Sequence, residues 1–142
     1  MVCSRNKGNR GEREARELFW RWFPDTARSY GQSRKQFSQP DLIGEVQKYF
    51  FIEVKFGGHK YLLPFKLKGY WEKLIDDYDM YIDVNQPNQS AEPILVYHNT
   101  DSQTKDWFVM RNNGKITITW REFQDELDEM FPIITNKQKE KK

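Results

Sequence analysis

The sequence predicts an α/β fold: one domain in which helices cover a sheet. Three observations carry this expectation. Apolar residues recur at helical spacing near the start, the middle and the end of the chain. Between these stretches lie short runs rich in Val, Ile, Phe and Tyr, the composition of strands. The resulting order of helix, strands, helix, strands, helix fits a layered α/β arrangement. A chain of 142 residues suits a single hydrophobic core. One domain over residues 1–135 is expected, followed by a disordered basic tail at 136–142.

The elements follow in chain order. Residues 1–9 are polar and expected to be mobile. From about Arg10, the residues Ala15, Leu18, Phe19, Trp22 and Phe23 fall on one helical face. "FPD" at 23–25 ends that helix, because proline cannot continue the hydrogen-bond ladder. "TARSYGQSRKQFSQ" predicts a short extended piece and then a loop. Two strand-like runs, Asp41–Gly44 and Tyr49–Phe56, flank "EVQK" and predict a hairpin turning on Val46–Lys48. "GGHKYLLPF" breaks the pattern. Leu67, Tyr70, Trp71, Leu74, Ile75 and Tyr78 then form a second helical stripe. "DVNQPNQSAEP" reads as a loop, while "ILVYH", "WFVM" and "KITIT" read as strands. Thr119 and Glu122 form a capping box that opens a last helix, with Phe123, Leu127, Met130 and Phe131 inward.

Composition narrows the function classes. The charged fraction is 31% and the aromatic fraction 15%, which suits a folded chain rather than a disordered one. No run approaches the roughly 18 apolar residues of a membrane span. The start, "MVCSRNKGNRGERE", lacks the apolar core of a secretory signal. Cys3 is the sole cysteine, so no internal disulfide forms. An intracellular, cytoplasmic protein is the simplest expectation. The net charge is only +2, but residues 1–36 carry nine Lys/Arg against four acids. That local basic excess suits a polyanionic partner.

The chemistry concentrates in "PDLIGEVQKYFFIEVKF", residues 40–56, an apolar stretch interrupted by Asp41, Glu53 and Lys55. Along a strand, residues i and i+2 share a face, so Glu53 and Lys55 point one way and Val54 the other. The predicted hairpin pairs Glu45 with Tyr49, Ile43 with Phe51, and Asp41 with Glu53. Opposed like charges destabilise a sheet, and a divalent cation between them reverses that sign. Mg²⁺ takes a few carboxylate oxygens together with water and phosphate. It polarises a phosphodiester and acidifies bound water, and Lys55 is placed to hold or deprotonate that water or to stabilise charge on the phosphate. An isolated Glu-x-Lys is common on solvated strand edges; the Pro-Asp pair a dozen residues upstream gives this one its weight. Glu12 extends the apolar stripe of the first helix toward the sheet, whereas Glu14 and Glu17 lie off it. His59 and His98 lack ligand spacing and are expected at surface or loop positions. A zinc cluster is not supported.

Taken together, "KGNRGERE" (7–14), "ARS" (27–29), "PD" (40–41) and "IEVK" (52–55) resemble the archaeal-type Holliday junction resolvases and their phage relatives, of the PD-(D/E)xK nuclease superfamily. The matched motifs span roughly residues 7–56. The resemblance implies a restriction endonuclease-like mixed β-sheet flanked by α-helices. It implies catalytic residues Glu12, Asp41, Glu53 and Lys55, with Glu12, Asp41 and Glu53 binding Mg²⁺ or Mn²⁺. It also implies DNA contacts by Arg13 and Arg28, and a homodimer that cuts DNA to leave 5′-phosphate ends. The basic residues Lys7, Arg34 and Lys35 join the expected DNA contacts. A loop serine of the family corresponds to Ser29, Ser33 or Ser38. Many phage relatives place a glutamine on the helix after the lysine; here "LKGYWEKLIDDY" has none, leaving that role vacant or to Lys73 or Tyr70.

The expected function is therefore Mg²⁺-dependent cleavage of DNA, most of all branched four-way junctions, in a prokaryotic cell or a phage-infected host. A less specific phage-type nuclease, or a catalytically inactive nucleic-acid-binding module on the same fold, are the alternatives. The loop Arg28–Gln39 is expected to be mobile without DNA and to close over a phosphate. The segment around Tyr70, Trp71 and Tyr78, or the strand "WFVM", is a candidate dimer contact, with core packing the alternative.

Overall fold

The computed structural model describes residues 4–29, 39–85, 91–101, 106–111 and 114–132. Helix α1 spans Ser4–Phe19 and is followed by two short strands, β1 (Ala27–Arg28) and β2 (Leu42–Ile43). A 3-10 turn over Glu45–Lys48 leads into β3 (Phe50–Gly57). A second such turn, His59–Tyr61, leads into α2 (Pro64–Asn85). Strands β4 (Glu92–Asn99), β5 (Trp107–Arg111) and β6 (Ile116–Thr119) precede α3 (Trp120–Met130). Four strands form one mixed sheet in the order β3-β4-β5-β6, and β1 and β2 form a separate antiparallel pair. Strands β3 and β4 run parallel, with Glu53 level with Leu95. Their connection therefore needs a crossover, which α2 supplies. The later strands meander antiparallel, with Val96 opposite Val109 and Val109 opposite Ile118.

Strand alternation sorts the core into two faces. Phe50, Ile52 and Val54 of β3 pack with Ala15 and Phe19 of α1 and with Phe123 and Leu127 of α3. Phe51, between them, packs on the opposite face with Leu67, Trp71, Leu74 and Tyr81 of α2. Helices α1 and α3 thus cover one side of the sheet and α2 the other. Arg111 fastens this frame, pairing with Glu92 of β4 and Glu126 of α3 at 2.6 Å each.

The sequence-based elements hold with specific corrections. Helix α1 begins at Ser4, well before Arg10, and the α-helix ends at Phe19. The chain then turns through Trp20–Trp22, and the Trp20 indole donates to the Thr26 carbonyl at 2.9 Å. Phe23 stays buried on the α1 side of the core, as its spacing implies. The predicted hairpin is replaced. "EVQK" winds into a 3-10 turn, and β2 pairs with β1, placing Ala27 opposite Ile43 and Arg28 opposite Leu42. Gly44 makes this turn possible with φ of 123°, a conformation that disfavours other residues, and the Asp25 carbonyl lies 3.0 Å from where a Cβ would sit. Helix α2 opens at Pro64 rather than near Leu67, with proline at its first position, where a missing N–H costs nothing.

Two side chains also depart from expectation. His98 is not a surface residue but lies buried in β4, its ring stacked 5.4 Å from Phe56 and 5.1 Å from Trp107. His59 is exposed, as expected. Met130, the last residue of α3, is exposed rather than inward, while Phe131 after it packs against the core as expected. Strand β5 lies between β4 and β6, so "WFVM" is internal to the sheet and offers no edge. Trp71 is buried, and Tyr70 and Tyr78 pack beside it. Among the described residues no helix is long and apolar enough to cross a membrane.

The capping box appears as read: the Thr119 hydroxyl accepts from the Glu122 N–H at 3.2 Å, and Glu122 accepts from the Thr119 N–H at 2.9 Å. Thr119→Ala should lower stability by about 1 kcal/mol, the ordinary worth of a helix N-cap, in a denaturant melt.

Candidate functional site

The site forms at the open edge of β3, where α1, the β1–β2 pair and α2 converge. Asp41 is its centre, and three hydrogen bonds fix it. Its N–H donates to the Ile52 carbonyl at 2.8 Å, and its carbonyl accepts from the Ser29 N–H at 2.9 Å. Its Oδ2 accepts from the Val54 N–H at 2.8 Å. The two bonds to β3 straddle Glu53. The carboxylate of Asp41 therefore lies beside Glu53, as the register argument anticipates, even though no β-hairpin forms.

Electrostatics confirm the crowding. Only 9% of Asp41 is accessible. Burial pushes its carboxyl well above the usual carboxylate range, and the neighbouring Glu53 and Glu12 charges push it further. The Val54 N–H and Lys55 act in the opposite sense. Glu53 and Lys55 alternate with Val54, which is buried on the α1 side, so both face α2. There the Lys55 ammonium sits 4.5 Å from the centroid of the Tyr70 ring, a cation–π contact. Lys73, one turn further along α2, also senses the site. Its hydrogen bond to Asp77, 3.1 Å long, raises its pKa most, and the charges of Glu53 and Asp41 add to that effect. Tyr70 and Lys73, the two candidates for the vacant glutamine position, thus both border the acids.

Glu12 arrives from the other layer, on α1. Its carboxylate pairs with Arg28 of β1 at 3.2 Å, both side chains being mostly buried at 14% and 17% exposure. Gly11, beside it, explains the approach. A Cβ there would lie 2.4 Å from Cβ of Phe56, so α1 can meet β3 this closely only with glycine. Gly11→Ala should push α1 off β3, cost about 1–3 kcal/mol by overpacking, and draw Glu12 away from Asp41. A thermal melt measures the first effect.

The remaining expected contacts are distributed differently. Arg13 is exposed on α1, and Lys7 falls in the first turn of that helix. Arg34, Lys35, Ser33 and Ser38, with most of the expected closing loop, lie outside the described residues. Ser29 is buried, and its backbone supports Asp41.

The donor set suits a hard divalent cation. Asp41, Glu53 and Glu12 offer only carboxylate oxygens, the ligands Mg²⁺ and Mn²⁺ prefer, and the buried like charges would be relieved by a cation. No three of the described His, Cys, Asp or Glu residues are gathered as a metal-binding group. The fit is thus to a centre held by one or two carboxylates with water, as Mg²⁺ accepts, with Glu12 held back by Arg28. The chain matches no family model, no curated protein and no solved structure.

Proposed function

We propose that the chain is a metal-dependent DNA endonuclease with a restriction endonuclease-like fold, acting on branched DNA and most of all on four-way junctions. The observation that carries this reading is the buried Asp41, anchored by two main-chain hydrogen bonds and by one from the Val54 N–H to its carboxylate, beside Glu53 with Lys55 on the same strand. A fold gains nothing from crowding acids at a buried edge, whereas phosphodiester hydrolysis needs that crowding to hold a cation.

Asp41 and Glu53 would hold Mg²⁺ or Mn²⁺, and Glu12 would support it through water. When bound, the metal supplies Lewis acidity toward the phosphate and a more acidic water. Lys55 places a positive charge beside the acids, and the Tyr70 ring restrains its ammonium, so it stabilises charge growing on the phosphate without first having to be ordered. Lys73 adds a second cation on the α2 side. Arg13, Lys7, Arg34 and Lys35 would neutralise flanking phosphates. Arg28 would do the same once released from Glu12, so DNA binding and completion of the acid set are coupled through one ion pair. Two symmetric cuts across a junction call for a homodimer, in the cytoplasm of a prokaryotic cell or a phage-infected host.

A second reading is a DNA-binding module without catalysis, and the Glu12–Arg28 pair favours it, since it occupies one of the three acids. Cleavage of a four-way junction, a linear duplex and a single strand with Mg²⁺ separates these readings. Junction-selective cutting is expected. Equal cutting of all three forms would point to the less specific nuclease, and binding without cutting to the inactive module.

A further inference from the structure

We infer that the turn between β3 and α2 is a stacking platform for unpaired bases beside the cleavage site; this rests on the nuclease reading and specifies its substrate as DNA with bases splayed from the duplex. Two aromatic rings stand out here: Phe65 is 68% exposed and Tyr61 43% exposed. Each carries a lysine across its face. Lys60 lies 5.2 Å from the Tyr61 centroid, and Lys66 lies 6.0 Å from that of Phe65. Residues 56–71 contain Lys60, Lys66 and Lys68 and no acid, so the surface complements a polyanion.

The platform is held in place. The Asp101 carboxylate accepts from the His59 N–H at 2.8 Å, and the Gly57 carbonyl accepts from the Thr100 N–H at 2.8 Å. It is also continuous with the site. Lys66, Tyr70 and Lys73 follow each other at i, i+4 and i+7, one stripe of α2. Lys66 is about 5–6 Å along the helix axis from Tyr70, which carries the Lys55 ammonium. Rings with adjacent cations are the general means of holding single-stranded nucleic acid: bases stack on the rings while the cations follow the backbone. Duplex DNA, with its bases stacked internally, offers the rings nothing, so the platform discriminates by strand pairing.

The test compares the wild type with the double variant Tyr61→Ala, Phe65→Ala in EDTA, where no cutting occurs. The probes are fluorescein-labelled oligothymidylate of 20 nucleotides and a 20-base-pair duplex at equal salt. The variant should lose about tenfold or more in affinity for oligothymidylate and stay within about twofold on the duplex. Tyr61→Phe with Phe65→Tyr should restore wild-type affinity. A 2-aminopurine in the single strand should be quenched by the wild type and not by the alanine variant. Unchanged oligothymidylate affinity, or an equal loss on both probes, overturns the platform. So does light scattering in which the substitutions convert a dimer to a monomer, since the rings then face a second copy. Selective loss in a protein that cuts no DNA supports the platform and removes the nuclease reading; a wild type that binds neither probe overturns the platform.

Discussion

Asp41→Asn should abolish DNA cleavage and at the same time make the metal-free protein more stable. The two effects share one cause. The carboxylate is buried among like charges, and burial, then Glu53, then Glu12 raise its pKa. Asparagine keeps an oxygen for the Val54 N–H and removes the charge, so the backbone frame survives. Relief of a buried, poorly compensated polar group is worth on the order of 1–3 kcal/mol. Loss of a metal ligand removes several kcal/mol of charge stabilisation in the transition state, about a thousandfold or more in rate. The pH dependence follows from the direction of the shift. Folded Asp41 holds its proton more tightly than the unfolded chain does. Metal-free stability therefore falls as pH rises from about 4, the unfolded value, through the folded pKa, and the loss is complete above it. That component should vanish in Asp41→Asn and shrink in the wild type when Mg²⁺ is added. Denaturant melts between pH 4 and 8, with and without Mg²⁺, measure it. A less stable asparagine variant would mean that the charge is compensated and the site is structural.

Lys55→Ala should reduce cutting by about 10²–10⁴-fold, the scale of a single positioned catalytic group, while DNA affinity changes little. One lysine is a small part of a footprint that spans several phosphates. Its ammonium is held by the Tyr70 ring, so its removal also costs a cation–π contact of about 0.5–1 kcal/mol, too little to unfold the chain. Anisotropy binding and single-turnover cleavage on the same junction separate the two quantities. Parallel loss of binding and cutting in a folded protein would assign Lys55 to phosphate binding rather than to chemistry.

What the sequence made legible was local. The Thr119–Glu122 box lies within four residues and needs no tertiary information, and α3 begins where it says. The helical stripes at Ala15–Phe23 and Leu67–Tyr78 repeat often enough to overcome noise; α2 contains the second whole, and α1 contains the first as far as Phe19. The meeting of Asp41 and Glu53 was legible because so few residues separate them that a tight reversal fixes their register. The form of that reversal was not, since "EVQK" suits a 3-10 turn as well as a hairpin. Strands β1 and β2 have two residues each and carry no periodicity. The start of α1, "SRNKGN", is polar and holds a glycine, so no apolar stripe marks it. The Glu12–Arg28 pair joins residues sixteen apart through packing alone. The role of Gly11 depends on Phe56, forty-five residues away, and no local signal could reveal it. His98 sits in a strand whose neighbours, Val96 and Tyr97, are apolar or aromatic, a context that points inward more strongly than its ring points out.

The claim that this acid pair exists to hold a divalent cation is tested most directly by titrating Mn²⁺ into the DNA-free protein in a calorimeter, wild type against Asp41→Asn. The account predicts a saturable site in the wild type and at least about a tenfold weaker one, or none, in the variant. Equal Mn²⁺ affinity in the two proteins would contradict it.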